Sequence, residues 1–127
     1  MEISELEKAV KQAWNKETSS DPDNWSIENP AWGQCAVTSL VVNDYLGGKL
    51  VWAEAVLPDG KKISHYFNNI NNIEYDMTRC QFPEGTQIPA GIDKAKSFAT
   101  TRDYVISFPV TQKRYETLKK RVEDILK

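Results

Sequence analysis

Two asparagines, Asn71-Asn72, stand between two short runs of alternating character, residues 63–70 and 73–78. Asparagine tolerates the left-handed backbone of a tight hairpin turn, so this pair constrains how the flanking strands meet. Side chains on a strand alternate faces with period two, and a turn of even length preserves that parity across the hairpin. With a two-residue turn, Ile70 pairs with Ile73 and His65 stands opposite Thr78. Asp76 then becomes a same-face diagonal neighbour of His65, about 7 Å away between backbones and within side-chain reach. A four-residue loop over 69–72 would oppose His65 and Asp76 directly. An odd-length loop without a bulge would put them on different faces.

The rest of the chain is read around this hairpin. Residues 50–57 form a strand that ends at the turn Pro58-Asp59-Gly60, giving an antiparallel meander of three strands. Ser4 followed by Glu7 has capping-box spacing, and Leu6, Ala9, Val10, Ala13 and Trp14 continue at helical intervals, which predicts a helix over 4–15. A second helix over 34–46 carries the stripe Val37, Leu40, Val41 and Tyr45, and stops at Gly47-Gly48. Residues 16–33 form a long loop holding Trp25 and Trp32. After Thr78 the chain is irregular through Pro83, Gly85, Pro89 and Gly91. Thr100 or Thr101 caps a short element over 102–108, where helix and strand fit equally well. Thr111 opens a last helix over 112–126, with Tyr115, Leu118, Val122 and Ile125 on its buried side. The expected fold is a single α+β domain over 1–127, a Cys-bearing helix packed on an antiparallel sheet of three or more strands, with helices at both termini.

Charge narrows the partners. Sixteen basic residues against eighteen acidic ones give no field that would draw nucleic acid or an anionic membrane. The basic residues Lys113, Arg114, Lys119, Lys120 and Arg121 are interspersed with Glu116, Glu123 and Asp124, as on a solvated helix face. The N-terminus is acidic and lacks a secretory apolar run. No stretch approaches the roughly 18 apolar residues of a membrane span. A cytoplasmic protein is expected, with its two cysteines as free thiols.

His65 is the chain's one histidine, and it falls between Cys35 and Asp76. A thiol becomes a nucleophile on losing its proton, which a helix N-terminus and a neighbouring imidazolium both favour. Cys35 opens the second helix, and Gly33 before it leaves backbone uncovered beside the sulfur. Cysteine as nucleophile, His65 as base and Asp76 as the group that fixes the ring is the arrangement of a thiol catalyst. Oxyanion donors would come from the Cys35 N–H or the side chains of Gln34 and Asn29. Each residue also has a plain structural reading, a small buried thiol and a satisfied histidine. No CxxC or HxxxH spacing supports a metal site, no cofactor is implied, and Cys80 has no assigned role.

These residues carry a resemblance. Asn29-Pro30-Ala31-Trp32-Gly33-Gln34-Cys35-Ala36-Val37-Thr38, then His65-Tyr66-Phe67-Asn68, Tyr75-Asp76-Met77-Thr78, Gln81-Phe82 and Lys113-Arg114-Tyr115-Glu116-Thr117-Leu118 resemble the YunG-like family of small bacterial proteins. That resemblance brings no activity with it. More distantly, a helix-borne cysteine followed by a strand histidine and aspartate is similar to the papain-like fold in its transglutaminase and NlpC/P60 branches. It implies a cysteine hydrolase or acyltransferase acting on a small-molecule or peptide acyl substrate (an amide, ester or thioester), with Cys35, His65 and Asp76 as its triad. The competing expectation is a non-enzymatic binding module that holds its partner with the Trp25 and Trp32 loop.

Overall fold

Asn71 and Asn72 both take left-handed backbone values, φ 54° and 67°, as a two-residue type I′ turn requires. The turn joins β2 (Lys62–Ile70) to β3 (Ile73–Tyr75), with Ile70 opposite Ile73 and Asn68 opposite Tyr75. On the far side of β2 runs β1 (Lys49–Val56), which sets Ala53 against His65 and Val51 against Phe67. The computed structural model describes residues 1–127, and its sheet is antiparallel in the order β1-β2-β3. β3 ends at Tyr75 instead of running to 78. The chain leaves the sheet at Asp76 and closes a tight turn in which the Gln81 N–H donates to the Thr78 carbonyl at 2.9 Å.

Four helices flank the sheet, so the fold is α+β with helices at both termini. Helix α1 (Ile3–Ala13) buries Leu6, Ala9, Val10 and Ala13. It starts one turn position earlier than its sequence suggests: Glu2 is the cap residue, and the exposed Ser4 lies inside the helix without capping it. Trp14 leaves the helix in extended backbone, and its indole N–H donates to Thr38 Oγ1 at 2.9 Å. Helix α2 (Cys35–Leu46) packs on β2 and on the C-terminal helix. Every residue from Val37 to Val42 is buried, more than the single stripe expected from spacing. A helix covered on several sides reads as apolar all round.

Helix α3 (Thr101–Ile106) resolves the ambiguous stretch as a helix, because Thr100 Oγ1 accepts from the Asp103 N–H at 3.1 Å. Helix α4 (Pro109–Leu126) begins at Pro109 with Phe108 as cap residue. Thr111 therefore falls within the first turn, since proline's fixed φ suits the opening helical position. Tyr115, Leu118 and Val122 are buried, while Ile125 is exposed and Leu126 packs against the core in its place. Arg102 of α3 is tied to α2 through Asp44, the Asn43 side chain and the Leu40 carbonyl, and to α4 by donating to the Tyr115 hydroxyl at 3.3 Å.

The two faces of β2 serve different layers. Tyr66 and Ile70 pack against the main core formed with α1, α2 and α4. Phe67 joins Val51, Ala53 and Ile88 in a small second cluster. The irregular stretch after Phe82 covers that cluster and closes the free edge of β1, through paired backbone bonds between Trp52 and Ile92 and between Val56 and Gln87. An edge strand so covered offers no open row of donors and acceptors. No helix is long and apolar enough to cross a membrane.

Leu40 has no exposed surface and lies in the centre of the main core. Its replacement by alanine is expected to cost about 2–5 kcal/mol of unfolding free energy. Urea denaturation measures this, and a loss below about 1 kcal/mol would place Leu40 outside the packed core.

Candidate functional site

His65 has no exposed surface. Its ring stacks on Phe67 with 5.5 Å between centroids and meets the edge of Phe82 at 5.0 Å. Nε2 lies 2.7 Å from Asp76 Oδ2, and the carboxylate keeps 15% side-chain exposure. Burial is the strongest influence on the ring and disfavours its charge. The Asp76 hydrogen bond and the nearby Cys35 thiol together outweigh it and raise the His65 pKa to about 9. At neutral pH the ring is an imidazolium whose Nε2–H donates to Asp76. Nδ1 is buried and bonded to nothing. Cys35 stands close enough to favour the ring's proton, although no hydrogen bond joins its sulfur to Nδ1 in this conformation.

The turn before Cys35 is clamped on two sides. Gly33 has φ 75°, and a Cβ there would collide with Ser19 Oγ and the Ser20 backbone nitrogen. Ser19 Oγ donates to the Trp32 carbonyl at 2.7 Å, and the Ser20 N–H donates to the Gly33 carbonyl at 2.9 Å. From the other side, Gln81 Oε1 accepts from the Gly33 N–H at 3.3 Å. Gln34 is the cap residue of α2 but supplies no side-chain cap. The N–H groups of Cys35, Ala36 and Val37 find no acceptor within the chain, and intrahelical bonding begins with Thr38 donating to the Gln34 carbonyl. Three free donors beside a partly exposed thiol make an anion-favouring environment. Asn68 fixes the helix to the histidine strand: its Nδ2 donates to the Ser39 carbonyl at 3.0 Å, and Ser39 Oγ donates to the Cys35 carbonyl at 2.7 Å.

The other sequence candidates each have a partner within the chain. Gln34 is fully buried, with Nε2 donating to the Asn15 carbonyl at 2.9 Å and Oε1 bonded to nothing. Asn29 spends its amide on the Gln81 carbonyl at 2.9 Å. Trp25 and Trp32 are half-buried, and their indoles donate within the loop to the Pro30 carbonyl and to Asp21. Both tryptophans thus pin the 16–33 loop to itself. Cys80 is exposed, and both cysteines are free thiols.

Sequence reasoning passed over Thr78, Gln81, Phe82 and Tyr66. Thr78 Oγ1 donates to Asp76 Oδ1 at a long 3.4 Å, and Phe82 walls the imidazole. The Tyr66 phenol is pushed up to about 12, by burial first, then by Tyr104 and Cys35, so it stays protonated beside the thiol. Thr78, Gln81, Phe82 and Tyr66 all sit in the blocks that carry the family resemblance, the only signal that singles them out. A cleft of about 500 Å³ opens beside Asp76 and Phe82, lined also by Lys11, Arg79 and Cys80. It reaches neither Cys35 nor His65. No group of three His, Cys, Asp or Glu side chains is arranged to hold a metal ion.

Comparison with known proteins places this chain in a family. Residues 2–127 match the family described as YunG protein. An uncharacterized protein YunG of Bacillus subtilis (strain 168) is 35% identical over 89 residues, covering 68% of this chain and 70% of the relative. The chain belongs to the YunG family. No solved structure matches it.

The folded-state pKa of about 9 lies above the usual histidine value near 6.5. The ion pair therefore adds stability in full below about pH 6.5 and loses it as pH rises through about 9. The advantage of the wild type over Asp76→Asn in urea unfolding is expected to be largest near pH 6 and to shrink by about pH 9.5. An advantage that is flat, or grows with pH, contradicts the pair.

Proposed function

We propose that this YunG-family protein is a cysteine hydrolase or acyltransferase with a papain-like core of the transglutaminase or NlpC/P60 kind. The observation that carries the reading is the fully buried His65 ring, with one nitrogen held by Asp76, the other unbonded, and Cys35 near enough to favour the ring's proton. Chain order, helix-borne cysteine and strand-borne histidine agree with that core. The sheet has three strands, fewer than such folds ordinarily carry.

In this reading the imidazolium favours the Cys35 thiolate, which attacks the carbonyl carbon of an amide, ester or thioester. The carbonyl π electrons move to oxygen, and the oxyanion is met by the unengaged N–H groups at the start of α2. Collapse of the tetrahedral adduct expels the leaving group, which takes the proton from His65 Nδ1 and leaves a thioester on Cys35. Neutral His65 then removes a proton from water or an amine as it attacks that thioester. The second collapse returns the sulfur as thiolate and the ring as imidazolium. Asp76 keeps Nε2 occupied throughout, so proton traffic is confined to Nδ1. Burial of Gln34 leaves the oxyanion role to the backbone.

Incubation of the Cys80→Ser protein with p-nitrophenyl acetate, followed by intact-mass and peptide analysis, tests the reading. One acetyl group on Cys35 is expected, forming about a hundredfold or more slowly in His65→Ala. An unmodified Cys35, or acetylation indifferent to His65, would remove the proposed function.

A further inference from the structure

We infer that Gln81 is a positioning residue that holds the Cys35 turn in register with the His65–Asp76 pair, an inference that rests on the thiol-enzyme reading above. Two segments must meet correctly for such a site: the loop that delivers Cys35, and the stretch that follows Asp76. Two hydrogen bonds join them, and both end on Gln81. Asn29 Nδ2 donates to its carbonyl at 2.9 Å, and the Gly33 N–H donates to its Oε1 at 3.3 Å.

The amide also has a defined direction. A backbone N–H can face only the oxygen end of a side-chain amide, so Gly33 fixes Oε1, and Nε2 is turned toward Thr78. Nε2 donates to Thr78 Oγ1 at 3.1 Å, which leaves that hydroxyl's proton for Asp76 Oδ1 at 3.4 Å. The chain of donors runs from Gly33 through Gln81 and Thr78 to the carboxylate that holds His65. Gln81 is 6% exposed and Thr78 2% exposed, so water does not readily replace either link. One amide thereby bonds the nucleophile's turn with its oxygen and the orienter's hydroxyl with its nitrogen. A residue of similar volume without those two ends would fill the space and lose the register.

The test is the rate of Cys35 alkylation by iodoacetamide near neutral pH in the Cys80→Ser protein, with Gln81→Met and His65→Ala alone and combined. Gln81→Met is expected to slow alkylation about tenfold where His65 is present and to add nothing in the His65→Ala background. A wild-type rate in Gln81→Met, with His65→Ala slow, overturns the role of Gln81 and leaves the thiol-enzyme reading standing. Equal slowing in both backgrounds makes Gln81 a general packing residue and also overturns it. An unaltered rate in His65→Ala removes the thiol-enzyme reading and this inference with it. Should Gln81→Met lack a cooperative thermal transition, Gln81→Glu decides. It keeps an acceptor for Gly33 and draws the Thr78 proton away from Asp76. The His65 titration midpoint by NMR is then expected to rise above its wild-type value, and an unmoved midpoint overturns the inference.

Discussion

A buried imidazole that carries charge needs a carboxylate within hydrogen-bonding distance, and the contact between His65 and Asp76 supplies it. Several local features of the chain become intelligible from that contact. The Asn71-Asn72 turn sets the register that brings Asp76 to the ring's face. The early end of β3 frees the chain to turn at Thr78, so that the carboxylate's second oxygen also receives a donor. Phe67 and Phe82 keep water from the ring and so strengthen the pair's mutual attraction. The covering of β1 by the irregular stretch after Phe82 completes that dry layer.

Much of this arrangement was legible from local chemistry. The left-handed turn, the strand parity and the start of α2 at Cys35 all follow from residues within a few positions of each other. Other features depended on packing that no short window contains. Ser4 and Thr111 have good cap chemistry, yet Glu2 and Phe108 occupy the cap positions, because the helices are placed by their buried faces and by Pro109. Ile125 continues a helical stripe by spacing but is exposed, and Leu126 beside it packs against the core. Gln34 and Asn29 sit near Cys35 in sequence, while their amides point to Asn15 and Gln81. Gln81 was hidden for the converse reason: its partners lie 48 and 52 residues away.

The loop 16–33 illustrates how a polar, tryptophan-bearing segment can be spent on scaffolding. Asn15 caps its first 3₁₀ turn, accepting from the Glu17 and Thr18 N–H groups. Trp25 and Trp32 close it on itself, and Ser19 and Ser20 press it against the turn at Gly33. That pressure demands glycine at position 33 and delivers the free N–H groups of α2 beside the thiol. The loop thus sets the shape of the Cys35 turn. The family match runs over residues 2–127 and so spans both the scaffold and the candidate site.

The proposed function requires that Cys35 and His65 act on each other, beyond the structural pairing of His65 with Asp76. NMR titration of the imidazole in the wild type and in Cys35→Ala measures this directly. A midpoint at about 9 is expected in the wild type, and a lower one once the sulfur that helps to hold the proton is gone. A midpoint that does not move on loss of Cys35 would reduce the site to a buried ion pair, with the cysteine a bystander.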